Sequence, residues 1–195
     1  MERICKLCSK KLNMVEDTYC LNCYWIKGYP AKYISLDINK LDIEKKRIDF
    51  LKEKPRSLII FGATGTGKTT LVLAYMLHHK INYNCFYNVN KLVEEVKNNE
   101  LARVEDKRDV FEIIANKEHL ILDDLIKLTE YGMQVMYNII NYRYERELPV
   151  VLITNLDRKM QEQVLGQRVF SRLVEMCYFL VKDGKDYRKD KIKEI

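Results

Sequence analysis

Apolar residues along the chain fall into two alternating patterns. "SLIIF", "NCFYN", "HLILD", "PVVLIT" and "EMCYFLV" are short, β-branched or aromatic, and bounded by turn or charged residues, as strands covered on both faces are. Between them lie longer stretches with helical spacing, Thr69 to His79, Lys91 to about Glu112, Thr129 to Arg146 and Asp157 to about Val174. Such alternation predicts an α/β, three-layer αβα fold, with helices packed on both faces of a five-stranded parallel sheet. Upstream, "YISLDINKLDIEKKRIDFLKEKP" sets Ile38, Leu41, Ile48 and Leu51 at mixed helical spacing among charges, which predicts one or two amphipathic helices stopped by Pro55. Residues 1–30 are too few for a core of their own. The expected organisation is therefore a small unit over 1–30, linker helices over 31–55 and a main domain over 56–195. No internal repeat or low-complexity segment is evident, and the charged tail "KDGKDYRKDKIKEI" is expected to fray.

Composition narrows this picture without changing it. With 195 residues, 47% of them hydrophobic, the chain can bury one substantial core plus a small appendage. A net charge of +6 with both signs plentiful permits a nucleic-acid partner without demonstrating one. The opening "MERICKLCSKK" has no apolar stretch of the signal-peptide kind, and no later run approaches the roughly 18 uninterrupted apolar residues of a membrane span. A cytoplasmic protein with no membrane partner is expected.

The chemistry centres on "FGATGTGKTT". Gly62-Ala63-Thr64-Gly65-Thr66-Gly67-Lys68-Thr69 fulfils G-x-x-x-x-G-K-[ST] directly after a predicted strand and at the opening of a predicted helix. In that context the glycines let the loop curl so that backbone N–H groups from Gly65 to Thr70 face inward, and the helix N-terminus adds partial positive charge. A nucleoside triphosphate fits such a cradle. Lys68 would reach the β- and γ-phosphates, and the Thr69 hydroxyl would ligate Mg²⁺.

"HLILD" ends in Asp123-Asp124, two carboxylates at the strand ends where open α/β folds bind ligands. Asp123 suits the Walker B role of holding the metal. Asp124 would orient or deprotonate the attacking water, or else serve as a helix N-terminal residue. Asp is one methylene shorter than the Glu usual in that role, so slow hydrolysis is expected. Asn155, at the end of "VVLITN", would hydrogen-bond the γ-phosphate or the attacking water, or else cap the helix starting near Asp157. Arg168 and Arg172 are four apart and share one face of a helix; an ordinary surface stripe has that spacing too.

Four of the six cysteines, Cys5, Cys8, Cys20 and Cys23, form C-x₂-C-x₁₁-C-x₂-C. Two such knuckles can close a tetrahedron around a structural Zn²⁺, with disulfides or an iron–sulfur centre as competing readings. Residues 1–55 carry twelve basic against eight acidic side chains, too weak a surplus to argue nucleic-acid binding. Tyr24 and Trp25 would form a docking patch or cover the metal. Cys85 and Cys177 read as buried thiols, His78 and His79 as helix-terminal residues, and no histidine completes a nucleophilic triad. "INYNCFYNVN" would pack or stack bases, and Lys91, Lys97 and Arg103 would touch single-stranded DNA or line a solvated face.

The order of these motifs resembles the DnaC/DnaI-type helicase loaders and the related IstB transposition ATPases of the AAA+ class. The resemblance spans about Tyr33 to Lys189 and rests on "GATGTGKTT", "FYNVNKLVEEVK", "LILDDL", "YNIINYRYERELPVVLITNL", "GQRVFSRL" and "DYR". It implies an arginine finger at Arg172, with Arg168 beside it, reaching a neighbouring subunit's γ-phosphate. It also implies a sensor-2-like Arg188 without a C-terminal helical lid, and an extra helical element from Asn90 onward. After Asp123-Asp124 the chain reads "LIKLTE", where the family usually has a small Gly-containing turn. The expected function is an ATPase (ATP, Mg²⁺ and Zn²⁺ as cofactors), slow and stimulated by assembly or DNA, that loads a replicative hexameric helicase in a bacterial or phage system. An IstB-like transposition ATPase and a weakly hydrolysing adaptor or inhibitor of a host loader are the alternatives. A small-molecule kinase would need an acceptor-binding segment that is not apparent.

Overall fold

Five of the apolar runs pair as parallel strands in the computed structural model, which describes residues 21–54, 56–102, 109–184, 186 and 187. They are β1 (Leu58–Phe61), β2 (Phe86–Asn88), β3 (Leu120–Leu125), β4 (Val150–Thr154) and β5 (Tyr178–Val181), in the order β2-β3-β4-β1-β5. Leu58, Ile59, Ile60, Leu120, Ile121, Leu122, Val150 and Leu152 have no exposed surface, which is why these strands read as continuous apolar runs instead of alternating. The order sets the C-terminal ends of β1, β4 and β3 side by side, so the three polar segments that follow or end them converge on one edge of the sheet.

One irregularity matters for the site. Leu122 pairs with Leu152 and Leu125 with Thr154, so β3 spends three residue steps where β4 spends two. The extra residue is a β-bulge at Asp123-Asp124, and Asp124 takes φ 64°, a left-handed conformation that Asp tolerates better than most side chains.

Seven helices of the described residues join these strands: α1 (Lys45–Glu53), α2 (Lys68–His78), α3 (Val89–Leu101), α4 (Val110–Ala115), α5 (Glu130–Glu145), α6 (Arg158–Leu165) and α7 (Gln167–Met176). Of the one or two helices expected over 33–55, α1 is one, preceded by a short 3₁₀ turn at Ile38–Lys40. Two other stretches differ from the sequence expectation. The stretch 91–112 is not one helix: α3 starts at Val89 and ends at Leu101, and α4 starts afresh behind Asp109, whose carboxylate caps Glu112 N. The stretch 157–174 is two helices, because Gly166 lies at φ 79°, ψ 151° and ends one helix where the next begins.

The chain divides into two units. One holds residues 55–69 and Cys85 onward; its core joins Ile59, Leu120, Leu122 and Leu152 of the sheet to Val89, Leu92, Met136, Ile139, Val169 and Leu173 of the helices. Arg143 of α5 is fully buried there and donates to four backbone carbonyls, those of Ala115 (2.8 Å), Lys117 (2.8 Å), Glu118 (3.5 Å) and Pro149 (2.5 Å). The other unit combines residues 21–54 with Thr70–Asn84. In it Tyr29 donates its hydroxyl to Ile81 O at 2.6 Å and packs on Tyr83, and His79 Nε2 lies 2.7 Å from Leu51 O at the end of α1. Trp25 meets the Tyr29 ring edge-on, and Cys23 is buried. Cys5, Cys8, Cys20, Arg103 and Arg188 lie outside the described residues. No described helix is long and apolar enough to cross a membrane.

Candidate functional site

Between β1 and α2 the chain makes the glycine loop expected from the sequence, with Lys68, Thr69 and Thr70 opening the helix. The loop's first glycine is required by its surroundings. Gly62 has φ 146°, and a Cβ there would stand 2.3 Å from the Lys182 carbonyl oxygen, closer than any side chain can approach. Thr66 closes the turn by donating its hydroxyl to Ala63 O at 2.9 Å.

Lys68 is nearly buried, 7% exposed, and its ammonium lies against three oxygens: Gly62 O at 2.9 Å, Ala63 O at 2.7 Å and Asn155 Oδ1 at 2.6 Å. Asn155 therefore belongs to the loop's chemistry. It does not cap the following helix, because Asp157 does so itself, accepting from Met160 N at 2.8 Å. Thr154 sets Asn155 in place: its buried hydroxyl donates to Leu125 O at 2.6 Å and accepts from Leu156 N at 3.0 Å, tying the end of β4 to the end of β3.

Thr69 and Asp123 also meet. The Thr69 hydroxyl is 3.2 Å from Asp123 Oδ2, so one hydroxyl and one carboxylate face each other beside the loop, a hard-oxygen pair of the kind Mg²⁺ takes. Burial pushes the Asp123 carboxyl above the usual aspartate range, against the Thr69 hydrogen bond and the Asp124 backbone N–H, which hold it down. A cation at this position would remove that penalty.

The bulge separates the two carboxylates. Asp123 is half-buried towards Thr69, whereas Asp124 is exposed and approaches Asn88 Nδ2 at 3.5 Å. Asp124 lies within β3, and α5 is capped by Thr129 accepting from Gly132 N at 3.1 Å, so the helix-terminal alternative for Asp124 is set aside. Asn88 was not singled out from the sequence. Its signal was its place at the end of β2, a strand whose register puts it beside Asp123.

A second feature escaped the sequence reading. Past β5 the chain returns to the glycine loop: Lys182 N donates to Phe61 O at 2.8 Å and Tyr187 N to Gly65 O at 3.2 Å. The Asp186 carboxylate sits where a Gly65 Cβ would be, 1.8 Å from it. Nothing in "KDGKDYR" beyond the DYR resemblance pointed there.

On α7 the two arginines differ. Arg168 is exposed, whereas Arg172 is half-buried, its Cζ 5.4 Å from the Tyr137 ring centroid and 5.6 Å from that of Tyr144. Cys85 and Cys177 are buried, and burial pushes the Cys177 thiol up to about 12.

The fold is shared with replication proteins. The DnaC helicase loader is 20% identical, with a TM-score of 0.65 over 79% of this chain and 100% of its own. DnaI is 20% identical, with a TM-score of 0.63 over 82% and 94%. The replication initiator DnaA bound to AMPPCP and single-stranded DNA is 14% identical, with a TM-score of 0.62 over 80% and 51%. At these identities the likeness is one of fold. No curated protein matches. The family model of the IstB-like ATP binding protein matches residues 33–194, and the chain, with its glycine loop between β1 and α2 on a five-stranded parallel sheet, belongs to that family of P-loop AAA+ ATP-binding proteins.

Proposed function

We propose that the protein is an ATP-hydrolysing switch that assembles with copies of itself and acts as a loader-like protein on a replicative hexameric helicase. The observation that carries the ATPase reading is the convergence of two pairs, Lys68 with Asn155 and Thr69 with Asp123, at the ends of β1, β4 and β3. A triphosphate entering the loop would take over Lys68 from its carbonyl acceptors, exchanging neutral partners for charged ones, which bind more strongly. Backbone N–H groups from Gly65 to Thr70 would hold the remaining phosphate oxygens. Thr69 and Asp123 would hold Mg²⁺, which supplies neutralisation of charge on the β- and γ-phosphates. Asn155, once Lys68 turns to phosphate, is left beside the γ-phosphate position to orient it or the water. Asp124 would take the proton of the attacking water as the γ-phosphoryl group passes to it and ADP leaves.

Arg172, with Arg168 exposed one turn earlier, would reach the γ-phosphate of a neighbouring copy, and Arg188 would contact the nucleotide bound by its own chain. Assembly and nucleotide state then form one equilibrium, since loss of the γ-phosphate removes the partner of Arg172. The fold likeness to the DnaC helicase loader and to DnaI supports a helicase as the target, with single-stranded DNA as a further ligand. The match to the IstB-like family supports a second reading, an ATPase that directs a transposase. Cys5, Cys8, Cys20 and Cys23 would hold a structural Zn²⁺; the four-thiolate set suits that metal, and Cys23, the member within the described residues, is buried. The zinc unit over 1–30 would be the docking module, residues 31–55 a helical linker, and the part from residue 56 onward the ATPase.

Phosphate release measured with and without single-stranded DNA, beside pull-down of a purified hexameric helicase in ATP-analogue and ADP forms, tests the proposal. Slow DNA- or assembly-stimulated release and analogue-dependent retention of the helicase are expected. Retention of a purified transposase in a parallel pull-down, with no helicase retained, would select the second reading, and absence of any nucleotide binding would overturn both. Metal analysis is expected to return one zinc per chain, lost in Cys20→Ser.

A further inference from the structure

Among the described residues Arg56, Arg146 and Arg158 each lie over one aromatic ring, whereas Arg172 lies over two. Tyr137 and Tyr144 stand seven residues apart on α5, two turns along one face. The Arg172 guanidinium crosses from α7 to lie over both rings, 5.4 and 5.6 Å from their centroids, within the range of cation–π attraction. Tyr144 is pinned from its other end, its hydroxyl donating to Glu175 Oε2 at 2.7 Å. Glu175 lies three residues beyond Arg172 on the same helix, so α7 contributes both the cation and the anchor of one ring beneath it. Among the described residues Arg172 has no hydrogen-bonded acceptor and no ion pair. Ring faces hold it, and its five N–H donors remain unspent. Arg143 is the contrast, since its donors are given to four backbone carbonyls.

A half-buried arginine is usually fixed by a carboxylate, which would have to be surrendered before the guanidinium could meet an anion. A pair of aromatic faces removes rotamer freedom while leaving the fork of N–H groups able to bind phosphate in its plane. We infer that Tyr137 and Tyr144 are positioning residues that hold Arg172 pre-oriented for a phosphate presented by a second copy of this chain. The inference rests on the reading of Arg172 as the group acting between subunits. Glu175 completes the device by fixing the Tyr144 ring, and Tyr137, without such an anchor, serves as the second face.

The test is steady-state ATP hydrolysis by the full chain at saturating protein concentration, for wild type, Tyr137→Leu/Tyr144→Leu, Tyr137→Phe/Tyr144→Phe and Arg172→Ala, and for the Leu pair combined with Arg172→Ala. The Leu pair is expected to lose about five- to ten-fold in kcat with KM for ATP changed less than about two-fold, as for an interaction realised only in the transition state. The Phe pair, which keeps both ring faces, is expected to retain at least about half the wild-type kcat. In the Arg172→Ala background the Leu pair is expected to add no further loss, whereas a merely structural role would add its full cost. Wild-type turnover in the Leu pair, with Arg172→Ala reduced to a small but measurable rate, overturns the positioning role and leaves the inter-subunit reading standing. Wild-type turnover in Arg172→Ala overturns that reading and the inference with it. Should the Leu pair fail to bind nucleotide, Tyr137→Leu alone decides: a kcat loss that vanishes in the Arg172→Ala background supports the role, and an unchanged kcat refutes it.

Discussion

Arg143→Met is expected to be among the most destabilising single substitutions in this chain. The wild-type guanidinium is fully buried, and burial lowers its pKa to about 10, so it stays charged at neutral pH without a carboxylate partner. Its stabilisation comes from backbone carbonyls, three of them within 2.8 Å. Ala115 ends α4 and Lys117 follows it, so their carbonyls are ones that the helix cannot satisfy itself. Pro149 lies immediately before β4, and the same side chain therefore ties the approach to β3 to the approach to β4. Methionine fills similar volume but leaves the Ala115 carbonyl buried, and those of Lys117 and Pro149 partly buried, without this donor, at about 1–3 kcal/mol each. Relief from burying a cation offsets part of that, leaving a net loss of about 3–5 kcal/mol. Urea unfolding followed by far-UV circular dichroism reads this directly, and a lowering of Tm by roughly 10 °C or more should accompany it. Arg143→Lys, a point charge unable to span all the acceptors, should fall between the two. The loss should be nearly independent of salt, because the interaction is buried. A cost below about 1 kcal/mol for Arg143→Met would refute the argument that these carbonyls depend on Arg143.

Three further predictions follow from particular geometries. Gly62→Ala should lower ATP affinity by at least about ten-fold in calorimetric titration, because its Cβ would meet the Lys182 carbonyl oxygen at 2.3 Å and one must move; an unchanged affinity would show that the loop tolerates displacement. Asp124→Gly should raise unfolding free energy by up to about 1 kcal/mol by relieving a non-glycine φ of 64° while lowering turnover, and a variant both less stable and equally active would contradict the bulge account. His79 has its pKa lowered, chiefly by burial. The unfolded chain therefore binds the proton more readily, and the stability from neutral His79 is present above 6.5 and lost as pH falls through the lower folded value. Hydrogen-exchange protection factors in α1, corrected for the intrinsic pH dependence, should fall across that acidic window in wild type and much less in His79→Gln.

Much of this was legible because the chemistry is local. The five strands are apolar on both faces, so each appears as a run with no competing pattern, and the glycine loop is contiguous from Gly62 to Thr69. The convergence of Lys68, Asp123 and Asn155 followed from strand ends in a parallel sheet. What escaped detection depended on register and on returns of the chain. The bulge that turns Asp124 outward is a mismatch between β3 and β4, and neither strand's composition records it. The approach of Asp186 and Tyr187 to Gly65 depends on where the segment after β5 travels. The division of 157–174 into two helices had a visible signal in Gly166, but glycine is tolerated within helices often enough that periodicity on either side outweighed it. The rings under Arg172 lie in "YNIINYRY", where Tyr137 and Tyr144 are two helical turns apart and nothing in the string names what crosses them.

The central claim is that a complete catalytic site needs the glycine loop of one copy and the arginine of another. Mixing Lys68→Ala chains with Arg172→Ala chains tests it most directly, by phosphate release at equal total concentration. Each variant alone should be nearly inactive, and the mixture should recover a substantial fraction of wild-type turnover, since some interfaces then pair an intact loop with an intact arginine. A mixture no more active than its two components, under conditions in which wild type assembles, would contradict the account.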